Sequence, residues 1–109
     1  MAAREFAGEY GVTLVLKGNT TVTASPDGRA FVNSTGNPGM AKGGSGDILA
    51  GIIGSLIGQG LEISEAAACG AYLHGLAGDM AAAELGEYGM LPSDMLNMLS
   101  YAIKQSMAR

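Results

Sequence analysis

Gly36-Asn37-Pro38-Gly39-Met40-Ala41-Lys42-Gly43-Gly44-Ser45-Gly46-Asp47 runs straight into the apolar stretch Ile48-Leu49-Ala50-Gly51-Ile52-Ile53. Five of the eleven residues from Gly36 to Gly46 are glycine, which frees the backbone for positive φ and lets N–H groups approach an anion. The apolar run behind them is read as a helix, whose N-terminal end adds positive partial charge. The stretch therefore reads as a phosphate-binding turn that opens a helix.

Asp47 closes this turn with a negative charge that would repel a phosphate. Two readings of it stay open on residue chemistry alone. It can be an N-cap that accepts N–H bonds from the first turn of the helix. It can also be a base aimed at a hydroxyl beside a phosphoryl donor, with the amides of Gly43, Gly44 and Gly46 stabilising the charge that moves.

Upstream, Ala2 to Glu9 reads as the end of a helix stopped by Gly11. Val12 to Leu16 is predicted as a five-residue strand, apolar on both faces except at Thr13, as in the middle of a covered sheet. Lys17 falls at its carboxyl end, the edge where open α/β sheets bind ligands. Thr21 to Ala24, the turn Ser25-Pro26-Asp27-Gly28 and Arg29 to Asn33 make an antiparallel hairpin that supports the glycine-rich loop.

Downstream, a helix is predicted from Asp47 to about Gly58, with Ala50, Gly51 and Gly54 permitting close packing. Ser64 is expected to cap a second helix that runs to about Leu85 and carries Ala66, Ala67, Gly70 and Ala71. His74 on that helix reads as a packing residue. Asp79 lies five residues after it and Cys69 five before, neither one helical turn away, so no protein-ligated metal is expected. Pro92 starts a third helix with Met95, Met98, Leu99, Ala102 and Ile103 on one face.

The 109 residues leave room for one domain at most. Apolar residues make up 48% and charged ones 15%, and the mean hydropathy is +0.24, so part of the apolar surface is expected to meet another chain or a further segment, a homo-oligomer contact included. A net charge of −4 and scattered basic residues argue against nucleic-acid or anionic-membrane partners. The single cysteine, Cys69, excludes a disulfide within the chain and is expected to be a reduced, buried thiol. Arg4, Glu5 and Glu9 interrupt any apolar leader, and the longest apolar run is broken by Gly51 and Gly54, so the expected location is cytoplasmic.

The motifs taken together, VLKGNTTV, SPDG, VNSTGNPGMAKGGSGDILAGIIG and AYLHGLAGD, resemble the C-terminal part of the nucleotide-dependent NAD(P)H-hydrate dehydratases within the ribokinase-like superfamily. That resemblance implies an α/β, ribokinase-like three-layer sandwich, of which residues 1–109 form the C-terminal part of one nucleotide-binding domain. It also implies an enzyme that uses ADP, named first, or ATP, to phosphorylate the hydroxyl of hydrated NADH or NADPH. Phosphate then leaves, restoring the reduced nicotinamide.

Carried over residue by residue, Lys17, Gly18, Asn19, Thr20 and Thr21 would contact the nucleotide. Gly43, Gly44, Ser45 and Gly46 would form the anion hole, Gly46 on the nucleotide phosphate side. Asp47 would face the hydrate hydroxyl as catalytic and substrate-binding residue. Mg²⁺ is expected to travel with the nucleotide phosphates.

Lys42 departs from the small hydroxyl residue often found there in the family, and is expected to face solvent. Complete dehydratase domains are more than twice as long, with further strands and helices that carry much of the nicotinamide-side pocket. Two alternatives accompany the dehydratase: a ribokinase-like small-molecule kinase that stops at the phosphate ester, and a nucleotide-binding remnant without turnover.

Overall fold

The structure, a computed structural model, describes residues 2–17, 21–37, 40 and 45–107. Seven elements follow in order: α1 (Ala2–Tyr10), β1 (Leu14–Leu16), β2 (Val22–Ala24), β3 (Ala30–Val32), α2 (Ser45–Gly58), α3 (Ile63–Leu85) and α4 (Pro92–Met107).

α1 ends where Gly11 takes a φ of 64° and the Val12 N–H reaches back to the Ala7 carbonyl at 3.1 Å. This is the left-handed stop that a glycine beyond a helix permits. One face of α1 is small, and Ala3 and Ala7 pack with Ala24 and Leu14 as a minor core under the sheet.

The three strands pair antiparallel in the order β1-β2-β3, with Leu14 opposite Ala24, Leu16 opposite Val22, and Val22 opposite Val32. The expected hairpin is present. Its turn closes through Ser25 N–H to the Arg29 carbonyl at 2.9 Å and Gly28 N–H to the Ser25 carbonyl at 3.1 Å, with Gly28 at φ 96°.

The reading of residues 12–16 is corrected. The strand is three residues long, Leu14–Leu16, and among the described residues it pairs with β2. The pairing with β2 begins at Leu14, and the strand-forming character of Val12 and Thr13 does not mark that boundary in the sequence.

α3 is the centre of the helical layer. Its buried residues are mostly alanine and glycine, which lets neighbours approach closely: a side-chain carbon on Gly70 would stand 2.6 Å from Ile53 Cγ1 of α2. On the other flank Ala81, Met90 and Met95 form the larger core, joined by Met40, Ala82 and Met98. The α4 stripe is largely as expected, with Met95 and Ala102 fully buried and Ile103 exposed at its margin.

Ser64 does not cap α3. The N-cap is Glu62, whose carboxylate accepts the Ser64 N–H at 2.6 Å. The Ser64 side chain turns inward instead, donating to Ser25 Oγ at 2.9 Å and lying 2.9 Å from Thr13 Oγ1, so it ties the helix to both β1 and β2 flanks. A Ser one position into a helix and a Ser at its cap read alike from sequence; an inward neighbour of matching polarity decides between them.

Cys69 is half-exposed rather than buried, because it lies at the margin of the face that α3 turns to its neighbours, while His74 is buried, as a packing residue would be. Among the described residues no helix is long and apolar enough to cross a membrane.

Candidate active site

Lys17 follows directly on β1, and Gly46 is the second residue of α2. The Lys17 Nζ lies 3.6 Å from the point where a side-chain carbon on Gly46 would stand. The ammonium therefore sits against the first turn of α2, and its charge adds to the positive end of the helix. Lys17, Gly46 and Asp47 are all exposed, so this corner is open to a solute.

α2 begins at Ser45, two residues earlier than the sequence indicated, which makes Asp47 its third residue and places it inside the first turn. The simple N-cap reading of Asp47 is thereby corrected. An acidic group there still gains from the helix dipole, and it stands next to the Lys17 and Gly46 pair.

Two side chains strap the segment leading into the loop onto α3. Asn33 donates from Nδ2 to the Ala71 carbonyl at 3.1 Å, and the Thr35 hydroxyl donates to the Tyr72 carbonyl at 2.9 Å. Thr35 fits only because Gly75 has no side chain: a carbon there would overlap Thr35 Oγ1 and approach the Thr35 carbonyl carbon to 2.7 Å. Met40 uses the same device one turn further on, its Cγ standing 2.8 Å from where a side-chain carbon on Gly78 would be. Asp79 then accepts the Gly36 N–H at 3.0 Å and Asn37 Nδ2 at 2.9 Å.

Of the residues expected at the site, Lys17, Gly46 and Asp47 are brought together. Thr21 precedes β2, and its carbonyl accepts the Asn33 N–H at 2.9 Å, which extends the hairpin towards the loop. Gly18, Asn19, Thr20, Lys42, Gly43 and Gly44 lie outside the described residues, and Ser45 is the first residue of α2. Sequence reading missed Asn33, Thr35 and Asp79. The signal that held them was the AYLHGLAGD stretch, whose glycines mark the helix face that receives the loop.

The shifted ionisations lie elsewhere. Arg29 bridges Asp27 and Glu62 at 2.8 Å each, and it holds the Glu62 carboxyl below its ordinary range, helped by the Ser64 N–H. The Asp27 carboxyl is lowered chiefly by the backbone N–H of Arg29. Among the described residues no group of three His, Cys, Asp or Glu side chains could hold a metal ion.

Residues 1–100 match the family model described as NAD(P)H-hydrate dehydratase. The chain is 53% identical over 102 residues to the bifunctional NAD(P)H-hydrate repair enzyme of Moorella thermoacetica, an alignment that takes in 94% of this chain and 19% of that enzyme. Among solved structures it is similar to the ADP/ATP-dependent NAD(P)H-hydrate dehydratase of Bacillus subtilis co-crystallised with ATP and Mg²⁺, with a TM-score of 0.90 and 35% identity over 95% of this chain and 38% of that one. A ribokinase-like superfamily protein of Enterococcus faecalis superposes with a TM-score of 0.79 and 38% identity, over 93% of this chain and 35% of that one. The chain thus spans about a fifth of the length of the first relative and under two fifths of these structures.

Proposed function

The chain belongs to the NAD(P)H-hydrate dehydratase family, and from that premise we propose that it serves the nucleotide-dependent repair of hydrated NADH or NADPH. Residues 1–109 are read as the C-terminal part of one ribokinase-like nucleotide-binding domain, which the superposition on the ribokinase-like superfamily protein supports. The observation that carries the activity is the meeting of Lys17 with Gly46 at the open first turn of α2, beside Asp47.

This corner suits the phosphates of ADP or ATP. Gly46 leaves room that a Cβ would fill, the helix end offers N–H groups, and Lys17 supplies a cation. Gly18, Asn19, Thr20 and Thr21 are proposed to line the nucleotide with Lys17, and Gly43, Gly44 and Ser45 to complete the anion hole with Gly46. Mg²⁺ would be held by the nucleotide phosphates and would neutralise charge on the transferring group.

Asp47 takes the proton of the hydrate hydroxyl as its oxygen attacks the terminal phosphorus. With ADP the products of that step are AMP and a phosphate ester. Phosphate then departs with the electrons of the carbon–oxygen bond, and loss of a proton from the neighbouring carbon restores the double bond of the dihydronicotinamide. The activity is therefore a carbon–oxygen lyase reaction driven by a phosphoanhydride.

The test is the near-ultraviolet absorbance of reduced nicotinamide when hydrated NADH is mixed with the 109-residue chain, with and without ADP and Mg²⁺. Recovery that depends on ADP is the expected result. A phosphate ester that accumulates without recovery would overturn the dehydratase in favour of a kinase.

A further inference from the structure

Asp79 is the one acidic side chain of α3 whose carboxylate, among the hydrogen bonds described above, takes both partners from the segment that leads into the glycine-rich loop. Oδ2 accepts a backbone N–H, that of Gly36, and Oδ1 accepts a side-chain amide, that of Asn37. The two acceptors hold consecutive residues, so they fix the direction of the chain as well as its position. The Gly36 φ of 111° makes that direction a sharp bend, open to glycine and strained for other residues.

The same helix holds the neighbours on either side. Thr35 is bonded to the Tyr72 carbonyl and seated on Gly75, and Met40 is seated on Gly78 and gives its N–H to the Asn37 carbonyl at 3.1 Å. α3 also receives Ile53 of α2 on Gly70, so the start of the loop and the helix that follows it are referenced to one rigid element.

We propose that Asp79 is a positioning residue, which by holding Gly36 and Asn37 sets where the chain enters the stretch that leads to the first turn of α2 and Asp47. This rests on the reading of that corner as a phosphoryl-transfer site. Both Asp79 oxygens are taken up by Gly36 and Asn37, so its effect on the reaction passes through those two residues. An asparagine of the same shape keeps one acceptor and replaces the other by a donor, which cannot take an N–H.

The test is Asp79→Asn in the full chain, read first by amide exchange. Exchange at Gly36 and Met40 is expected to quicken by about tenfold or more while the Ala102 amide of α4 keeps its wild-type rate. Where the chain turns over, kcat is expected to fall by roughly 10²-fold, the cost of a misplacement of about 1 Å, with the pH profile unmoved because Asp79 exchanges no proton with substrate. Wild-type exchange at Gly36 and Met40 would overturn the proposal, as would a uniform rise that includes Ala102. Asn37→Ala, which removes one of the two bonds without altering α3, is held to the same criteria if Asp79→Asn does not fold. A wild-type chain that binds no ADP counts against the functional reading alone, since the exchange pattern decides the hold of Asp79 on the loop by itself.

Discussion

Lys17 and Gly46 meet across the gap between β1 and α2, the lysine amine standing 3.6 Å from where a side chain on the glycine would begin. A strand end and a helix start are thus joined, among the described residues, where a lysine amine stands over a residue without a side chain. Replacing Lys17 by Ala removes that cation, and ADP affinity is expected to fall by roughly 10- to 100-fold, as for a lost charge-assisted bond. Isothermal titration with ADP checks it, and unchanged affinity would remove Lys17 from the nucleotide site.

Asp47 sits in the first turn of α2, so Asp47→Asn should leave the helix largely intact. Turnover is expected to drop by about 10²- to 10⁴-fold with ADP affinity retained, the usual contribution of a positioned base. Full activity combined with a lowered melting temperature would mean that the carboxylate serves the helix end alone.

Gly75 and Gly51 make a matched pair of tests within the helical layer. Gly75→Ala drives a carbon into Thr35 and is expected to destabilise by about 1–3 kcal/mol, as overpacking does. Gly51 faces open space, so Gly51→Ala should be stabilising by about 0.5–1 kcal/mol through helix propensity. Urea denaturation of both variants reads the contrast, and equal effects would contradict the seating of Thr35.

Glu62 caps α3 with a carboxyl that Arg29 and the Ser64 N–H hold below its ordinary range. A lowered folded-state pKa contributes stability above the unfolded value and loses it as pH falls through the folded one. Wild type should therefore melt above Glu62→Gln near neutral pH, and the difference should close as pH falls from about 5 to about 3. A gap that persists at the acid end would show that the carboxylate charge is not its source.

What the sequence made legible was local. Gly11, the Ser25 to Gly28 turn and Pro92 bound their elements within a residue or two, because glycine and proline act on their own φ or N–H, and α2 and α3 end at Gly58 and Leu85, just before the left-handed Gly60 and Gly86. Lys17, Gly46 and Asp47 were expected at one site from the family resemblance together with their place at a strand end and a turn, and the structure puts Lys17 against Gly46.

Contacts between distant segments were not legible. Glu62 rather than Ser64 caps α3, since Ser64 is drawn inward by Ser25 and Thr13, 39 and 51 residues away. Asp79 reaches Gly36 across 43 residues, and no spacing rule pairs those two.

The chain of hydroxyls formed by Thr13, Ser64 and Ser25 has a consequence for how this protein can vary. Ser64 gives its single proton to Ser25 and so must receive one from Thr13. Changing Ser64 to an apolar residue takes away the partner that Ser25 and Thr13 share, whereas exchanging linked positions together leaves fewer polar atoms unpaired. Substitutions that include Ser64 are thus expected to be epistatic, harmful singly and milder in combination.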